Sequence, residues 1–254
     1  FQAFIWGMSD KMKAELIFLG PFFDRILDTK KIRSLTQGFR IFDDVAWRSL
    51  PNVQVPTIAS DDFIYHQQFF NLECDISIVV VEQPLDGNFF TRTNVFNFDM
   101  FGLVDPQPEH IVFSVSTNDV YFICKHFDLH YEKAMAGIIL LAFLVYTFLS
   151  RGGKYWNLVT ESREDSVFNF CRDKTEMRYS MQALKMGQRA EAHFQKVGFD
   201  ETELAVFRRA LATLRPTTLE RITGALQERP ISLAFGSNIL VSIVFFALGA
   251  MYAK

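Results

Sequence analysis

The residues with the most chemistry in their spacing are Lys125, His126, Phe127, Asp128, Leu129 and His130. On one continuous helix, His126 and His130 are four apart and share a face, so two imidazoles can reach a single metal ion. Asp128, Cys124 or Glu132 would then have to supply a third ligand. Two ligands alone make no closed site. A group of His, Lys and Asp beside an apolar run also suits a hydrated collar at a membrane interface, and that is the reading the sequence favours. No metal is expected, with His126 and His130 the only candidates.

The remaining reactive side chains are scattered. His66, His110 and His193 stand alone, and no Ser or Cys lies near a recognisable base or nucleophile elbow. The phosphate-cradling pattern G-x-x-x-x-G-K-[ST], the dinucleotide pattern G-x-G-x-x-G and the zinc pattern H-E-x-x-H are all missing from the sequence. Cys74, Cys124 and Cys171 form no CxxC and read as reduced thiols in ordinary packing. The neighbours Asp43 and Asp44, and likewise Asp61 and Asp62, read as turn or cap residues. The expectation is a protein without catalytic residues or a cofactor, and not an enzyme.

Charge narrows the partners. The net charge of −3 argues against nucleic acid, whose binding needs basic patches to neutralise phosphates. Residues 1–133 carry 11 Lys+Arg and 18 Asp+Glu, a balance of −7. Residues 151–229 carry 14 and 11, a balance of +3. Phenylalanine occurs 28 times against 7 tyrosines and 3 tryptophans. Phe has no polar handle, so this excess predicts surfaces buried in lipid or in neighbouring subunits.

The elements that position these residues follow from apolar patterning. In residues 1–35, Leu16, Leu19, Phe23 and Leu27 are spaced for one face of an amphipathic helix, interrupted at Gly20-Pro21. Residues 36–133 read as a small α/β domain. ISIVVV (Ile76–Val81) and IVFSVS (residues 111–116) suit buried strands. Asp86-Gly87 offers a tight turn, and NFDMFGLV (residues 97–104) a short helix or turn.

Two uncharged runs then stand out. AMAGIILLAFLVYTFLS (residues 134–150) is just long enough to cross a bilayer and is flanked by Lys133, Arg151, Lys154, Tyr155 and Trp156. ISLAFGSNILVSIVFFALGAMYA (residues 231–253) is longer, and Gly236, Ser237, Ser242, Gly249 and Ala250 would let a neighbouring helix approach closely. Asn238 within it should face protein rather than acyl chains. Between the runs, residues 151–229 read as a helical loop. Met177 to Val197 has one helical pattern, and Asp200 with Glu203 forms a D-x-x-E capping signature for the next helix. Pro216 ends that helix, and a short third one begins at Thr217 and Thr218.

The order of residues 75–119 carries a family resemblance. ISIVVVEQPLDGNFF is followed by a polar spacer and NFDMFGLVDPQPEHIVFSVSTND. Phe101-Gly102-Leu103-Val104-Asp105-Pro106 and Pro108-Glu109-His110-Ile111-Val112-Phe113 resemble the archaeal-type small α/β domain family that includes mitochondrial complex I assembly factor 3. The likeness covers under a fifth of the chain, and Ser114 to Asn118 contains no Gly where the family has a glycine-rich turn. The resemblance implies a mitochondrial protein whose domain serves protein contacts, with that domain in the matrix. The Lys/Arg excess implies instead that residues 151–229 face the matrix.

The sequence thus predicts an α+β membrane protein: a small α/β N-terminal domain and two transmembrane helices flanking a helical hairpin loop. The expected role is a non-catalytic accessory subunit of a mitochondrial inner-membrane energy complex, F-type ATP synthase ahead of a respiratory-chain complex. Its partners would be other subunits and membrane lipids. The alternative is a membrane-tethered assembly factor for a respiratory complex.

Overall fold

The run AELIFL, which the apolar spacing assigns to a helix face, is a strand. In β1 (Lys13–Leu19), every residue from Ala14 to Leu19 is buried. A helix lying on a surface would need a polar side, whereas a strand covered on both faces reads as an unbroken apolar run. The structure, a computed structural model, describes residues 13–21, 28–37, 44–65, 69–71, 73–87, 91–96, 110–159, 166–168, 176–215 and 217. The proposed turn or helix at 97–104 lies outside them, as do residues 231–253.

β1 pairs in parallel with β2 (Asp44–Leu50) on one side and β3 (Ile76–Val81) on the other. β5 (His110–Ser116) extends the parallel sheet beyond β3, and β4 (Thr91–Phe96) adds an antiparallel edge. The order is therefore β2-β1-β3-β5-β4. Both strands expected from ISIVVV and IVFSVS are present and central, their β-branched side chains suited to a pleated, buried surface.

Each sheet face has its own cover. On one face Ala14, Leu16, Phe18, Ile76, Ile78, Val80, Ile111, Phe113 and Val115 point into the main core. On the other, Ile17, Leu19, Val79, Val81 and Val112 pack under Ala59, Ile64, Phe69, Phe70 and Leu85. The second cover comes mainly from residues 51–65 and 69–71, which include the single-turn α2 (Asp61–Ile64), capped by Ser60 accepting from the Phe63 N–H at 3.4 Å. Asp61 and Asp62 occupy that first turn, in keeping with their reading as cap residues.

The main core is built around α4 (Tyr131–Leu149), which contains most of the first apolar run. Fifteen of its nineteen residues are buried, among them Ile138, Ile139, Leu140, Phe143 and Phe148. α1 (Thr29–Gln37), α3 (Thr117–His126), strands β3 and β5, and α8 (Glu201–Leu214) all pack against it. Gly137 marks the closest approach, since a Cβ there would lie 3.2 Å from both Leu184 Cδ2 and Met181 Sδ. α4 is apolar on all sides because protein surrounds it. It remains the one helix among the described residues with the length and composition to cross a membrane, and 78% of its apolar window is buried within the protein. Two membrane spans are not what the described residues show.

The polar region after α4 folds onto the same core. α5 (Tyr155–Leu158) is a single turn. The helix expected from Met177 to Val197 is two helices, α6 (Met177–Ala183) and α7 (Gln188–Lys196). The break falls at Leu184, which adopts the left-handed conformation at φ 39° and donates its N–H to Ser180 O at 3.0 Å. Beyond it, Ser166 Oγ accepts the Gly187 N–H at 3.1 Å, drawing the chain back against residues 166–168. The periodicity read from sequence runs through this corner because both helices bury the same kind of side chain.

α7 and α8 form the expected hairpin. Phe194 lies at the centre of a ring cluster with Phe148, Phe168, Phe199 and Phe207, at centroid distances of 4.9 to 6.0 Å. The Phe excess read as surface for lipid or subunits is thus partly an interior packing device. At the start of α8 the D-x-x-E signature forms a true capping box: Asp200 Oδ1 accepts from Glu203 N at 2.8 Å, and Glu203 Oε2 accepts from Asp200 N at 3.0 Å. Asp200→Ala should lower stability by about 1 kcal/mol, a fall in thermal midpoint of roughly 2–4 °C in a domain of this size; calorimetry or a CD melt reads it directly. Residues Phe1–Arg215 form one compact unit and Pro216–Lys254 a second.

Candidate functional site

The link between α3 and α4 separates the two candidate ligands. α3 ends at His126, and the chain turns through Phe127 and Asp128, the latter at φ 50°. His130 is the N-cap of α4, its carbonyl accepting the Ala134 N–H at 2.9 Å. His126 and His130 therefore belong to different elements, and the shared helical face assumed for them does not form. The His126 ring stands edge-on to Phe127, with centroids 4.6 Å apart. Among the described residues no group of three or more His, Cys, Asp or Glu side chains could hold a metal ion.

Two of the proposed third ligands, Glu132 and Cys124, are poorly disposed to bind a metal. Glu132 Oε2 lies 3.4 Å from Lys31 Nζ on α1. Burial, reinforced by the charge of Glu132, pushes the Cys124 thiol up to about 12, so it stays protonated at physiological pH. His110 is 2% exposed, with Nδ1 2.6 Å from Cys74 O. His66 and Cys171 lie outside the described residues.

A polar cluster that sequence reasoning passed over sits in the sheet itself. Glu15, in the middle of β1, is fully buried. One carboxylate oxygen, Oε1, accepts from Ser77 Oγ at 2.5 Å and from the Asn71 N–H at 2.7 Å. The other, Oε2, accepts from Arg48 Nη1 at 2.9 Å, and the same nitrogen donates to Phe69 O at 3.1 Å. β1, β2 and β3 therefore each contribute one side chain, and together they hold residues 69–71 onto the sheet. A buried carboxylate surrounded by donors is a latch: its lone pairs are taken by protein groups on β2, β3 and residues 69–71. The signal was a lone charge inside an otherwise unbroken apolar strand.

A second latch joins the helical layer. Arg151, just after α4, meets Glu203 of α8 through Nη2–Oε1 at 2.5 Å and Nη1–Oε2 at 3.0 Å. The guanidinium also lies over the Phe199 ring at 3.8 Å. The paired forks and the aromatic face suit Arg and would not suit Lys. Glu203 thus serves the helix cap and the ion pair at once.

The crevice that open parallel sheets commonly use for ligands lies where neighbouring strands send their crossovers apart, here at the C-terminal ends of β1 and β3. In this chain it is covered by residues 53–59. Gly20, at φ 87°, donates its N–H to Leu50 O at 3.1 Å, and a Cβ there would lie 2.9 Å from Val55 Cγ2. Ala59 N donates to Pro84 O at 2.9 Å and Asp86 N to Ala59 O at 3.0 Å, beside a parallel bridge between Ala59 and Leu85. Glu82, beside this edge, has its carboxyl raised by burial.

Around α5 and α7 the exposed side chains include aromatic and basic ones. Trp156 is 74% exposed and Tyr155 40%, paired edge to face at 5.6 Å. α5 packs on α7, whose Arg189 and Lys196 are exposed. Partial burial, then the charges of Lys196 and Arg189, hold the His193 imidazole below its usual 6.5. The folded chain thus takes up this proton at lower pH than the unfolded one, so His193 erodes stability as pH falls through the ordinary imidazole range. NMR titration should place His193 below a free imidazole, and Lys196→Gln should move it upward.

Comparison with known proteins finds no match to this chain among protein-family models, curated proteins or solved structures.

Proposed function

We propose that the protein is a non-catalytic accessory subunit of a membrane-embedded energy complex in the mitochondrial inner membrane, an α/β contact domain tethered by residues 231–253. The observation that supports this most is where the domain spends its polar chemistry. Glu15, Arg48 and Ser77 fasten a cover to the sheet, while Arg151 and Glu203 fasten one helix to another. Among the described residues Ile58 and Phe122 also keep large apolar side chains in solvent, where a neighbouring subunit could cover them.

The proposal keeps one span of the two read from sequence. α4 finds its apolar surroundings in the sheet and helices, so residues 231–253, uncharged for 23 positions, carry the membrane assignment. The mitochondrial setting rests on the resemblance of residues 75–119. Native electrophoresis of digitonin-solubilised membranes, followed by mass spectrometry of the band, tests the role. Co-migration with a large complex at fixed stoichiometry is expected, and migration at the 29.3 kDa monomer mass would overturn it. Presence in assembly intermediates alone would select the assembly-factor reading instead.

A further inference from the structure

We propose that the surface formed by Lys154, Tyr155 and Trp156, with Arg189 and Lys196 of α7, docks on an anionic lipid bilayer, seating Trp156 at headgroup depth. The inference rests on the reading that residues 231–253 anchor the chain, and it adds the face by which the folded domain meets the membrane.

The aromatic pair is held out rigidly. Gly152 and Gly153 donate their N–H groups to Leu149 O and Phe148 O at 2.9 and 3.0 Å, closing the turn after α4. Leu158, fully buried, pins the far end of α5. Between these fixed points Trp156 keeps 74% of its surface in water. An indole has an apolar body and one N–H donor, and Tyr has the same division, so both partition to the zone between acyl chains and water.

Charge identifies the bilayer as the occupant and gives it a sign. Lys154 adjoins the aromatic pair, and the helix packed against α5 exposes Arg189 and Lys196. Each cation near an anionic surface adds favourable interaction of comparable size, so three of them bias the face towards acidic headgroups. Arg151 is committed to Glu203 and is not counted with them. The chain also supplies proximity: 15 residues separate Arg215 from the uncharged stretch at 231. Such a linker reaches at most about 50 Å, which keeps the domain at high effective concentration near the membrane.

The test uses the full chain reconstituted in phosphatidylcholine vesicles containing phosphatidylglycerol, with or without bromine on the upper acyl carbons. Trp6, Trp47 and Trp156 all emit, so the signal of Trp156 is the difference between the wild-type chain and Trp156→Phe. Docking predicts that bromine quenches this difference signal roughly twofold, because interfacial side chains sit about 5–10 Å into the headgroup boundary, and that quenching weakens in phosphatidylcholine alone. Equal emission with and without bromine overturns the proposal and leaves the surface to a protein partner. Alkaline carbonate extraction of the same vesicles reports separately on the tether. A pelleted chain with unquenched Trp156 removes the docking face and keeps the anchor. A released chain with quenched Trp156 removes the anchor and keeps the docking face, and loss of both signals removes both.

Discussion

Glu15→Ala is expected to destabilise the domain by about 3 kcal/mol, more than any single surface change. Its carboxylate is fully buried and accepts from Ser77 Oγ, Asn71 N and Arg48 Nη1. Alanine leaves the Ser77 hydroxyl, fully buried, without its acceptor, and such an orphan costs about 1–3 kcal/mol, while the exposed Asn71 loses its tie to the sheet. Arg48 is 36% exposed and can turn towards water, which holds the total below the extreme for a fully enclosed pair. In a unit of this size the thermal midpoint should fall by roughly 6–12 °C. The cover over the second sheet face should loosen first, because Asn71 and Phe69 are the points at which the cluster grips it. Hydrogen exchange at residues 69–71 reads that loosening separately from global melting. Replacing both partners, Glu15→Met with Arg48→Met, should recover part of the loss, since neither charge of the pair is then left without the other. A single Glu15→Ala variant with unchanged midpoint and unchanged exchange would show that the cluster does not fasten the cover.

The sequence made the strands legible where composition and burial agree. ISIVVV and IVFSVS are β-branched, short and bounded by turn residues, and both became central strands. AELIFL misled because it is only six residues long, holds one charge, and is followed by further apolar residues at spacings of three and four. Its strand identity comes from β2 and β3 on either side of it, which no local pattern reveals. The capping box at Asp200 was readable because its signal is local, four residues with two reciprocal hydrogen bonds. The break at Leu184 was not, because a non-glycine residue in the left-handed region is imposed by packing rather than by its own preference. The histidine pair failed for a similar reason. Spacing of four means a shared face only while one helix continues, and the turn at Asp128 interrupts it. Glu15 was the most informative residue and the easiest to pass over, since only its three-dimensional partners give it a role.

Truncation after Arg215 is expected to convert a membrane-retained chain into one that alkaline carbonate releases into the supernatant. The expectation follows from the environment of α4. For α4 to cross a bilayer it must leave β3, β5 and α8, uncovering Leu16, Phe18, Ile78, Val80, Phe113 and Val115 on one face of the sheet. At about 2 kcal/mol for each large apolar side chain returned to water, those six alone cost on the order of 10 kcal/mol, comparable to the whole stability of an ordinary domain. Lipid offers α4 no better solvation than the sheet and helices already give it, so the transfer has nothing to offset that loss. Removing residues 216–254 leaves the compact unit Phe1–Arg215 intact while deleting the uncharged stretch. The shortened chain should therefore remain soluble without detergent and melt cooperatively, with the near-UV CD of packed aromatic rings. If it stays in the carbonate pellet while retaining that near-UV signal, α4 is a membrane span after all and the sheet must find another cover.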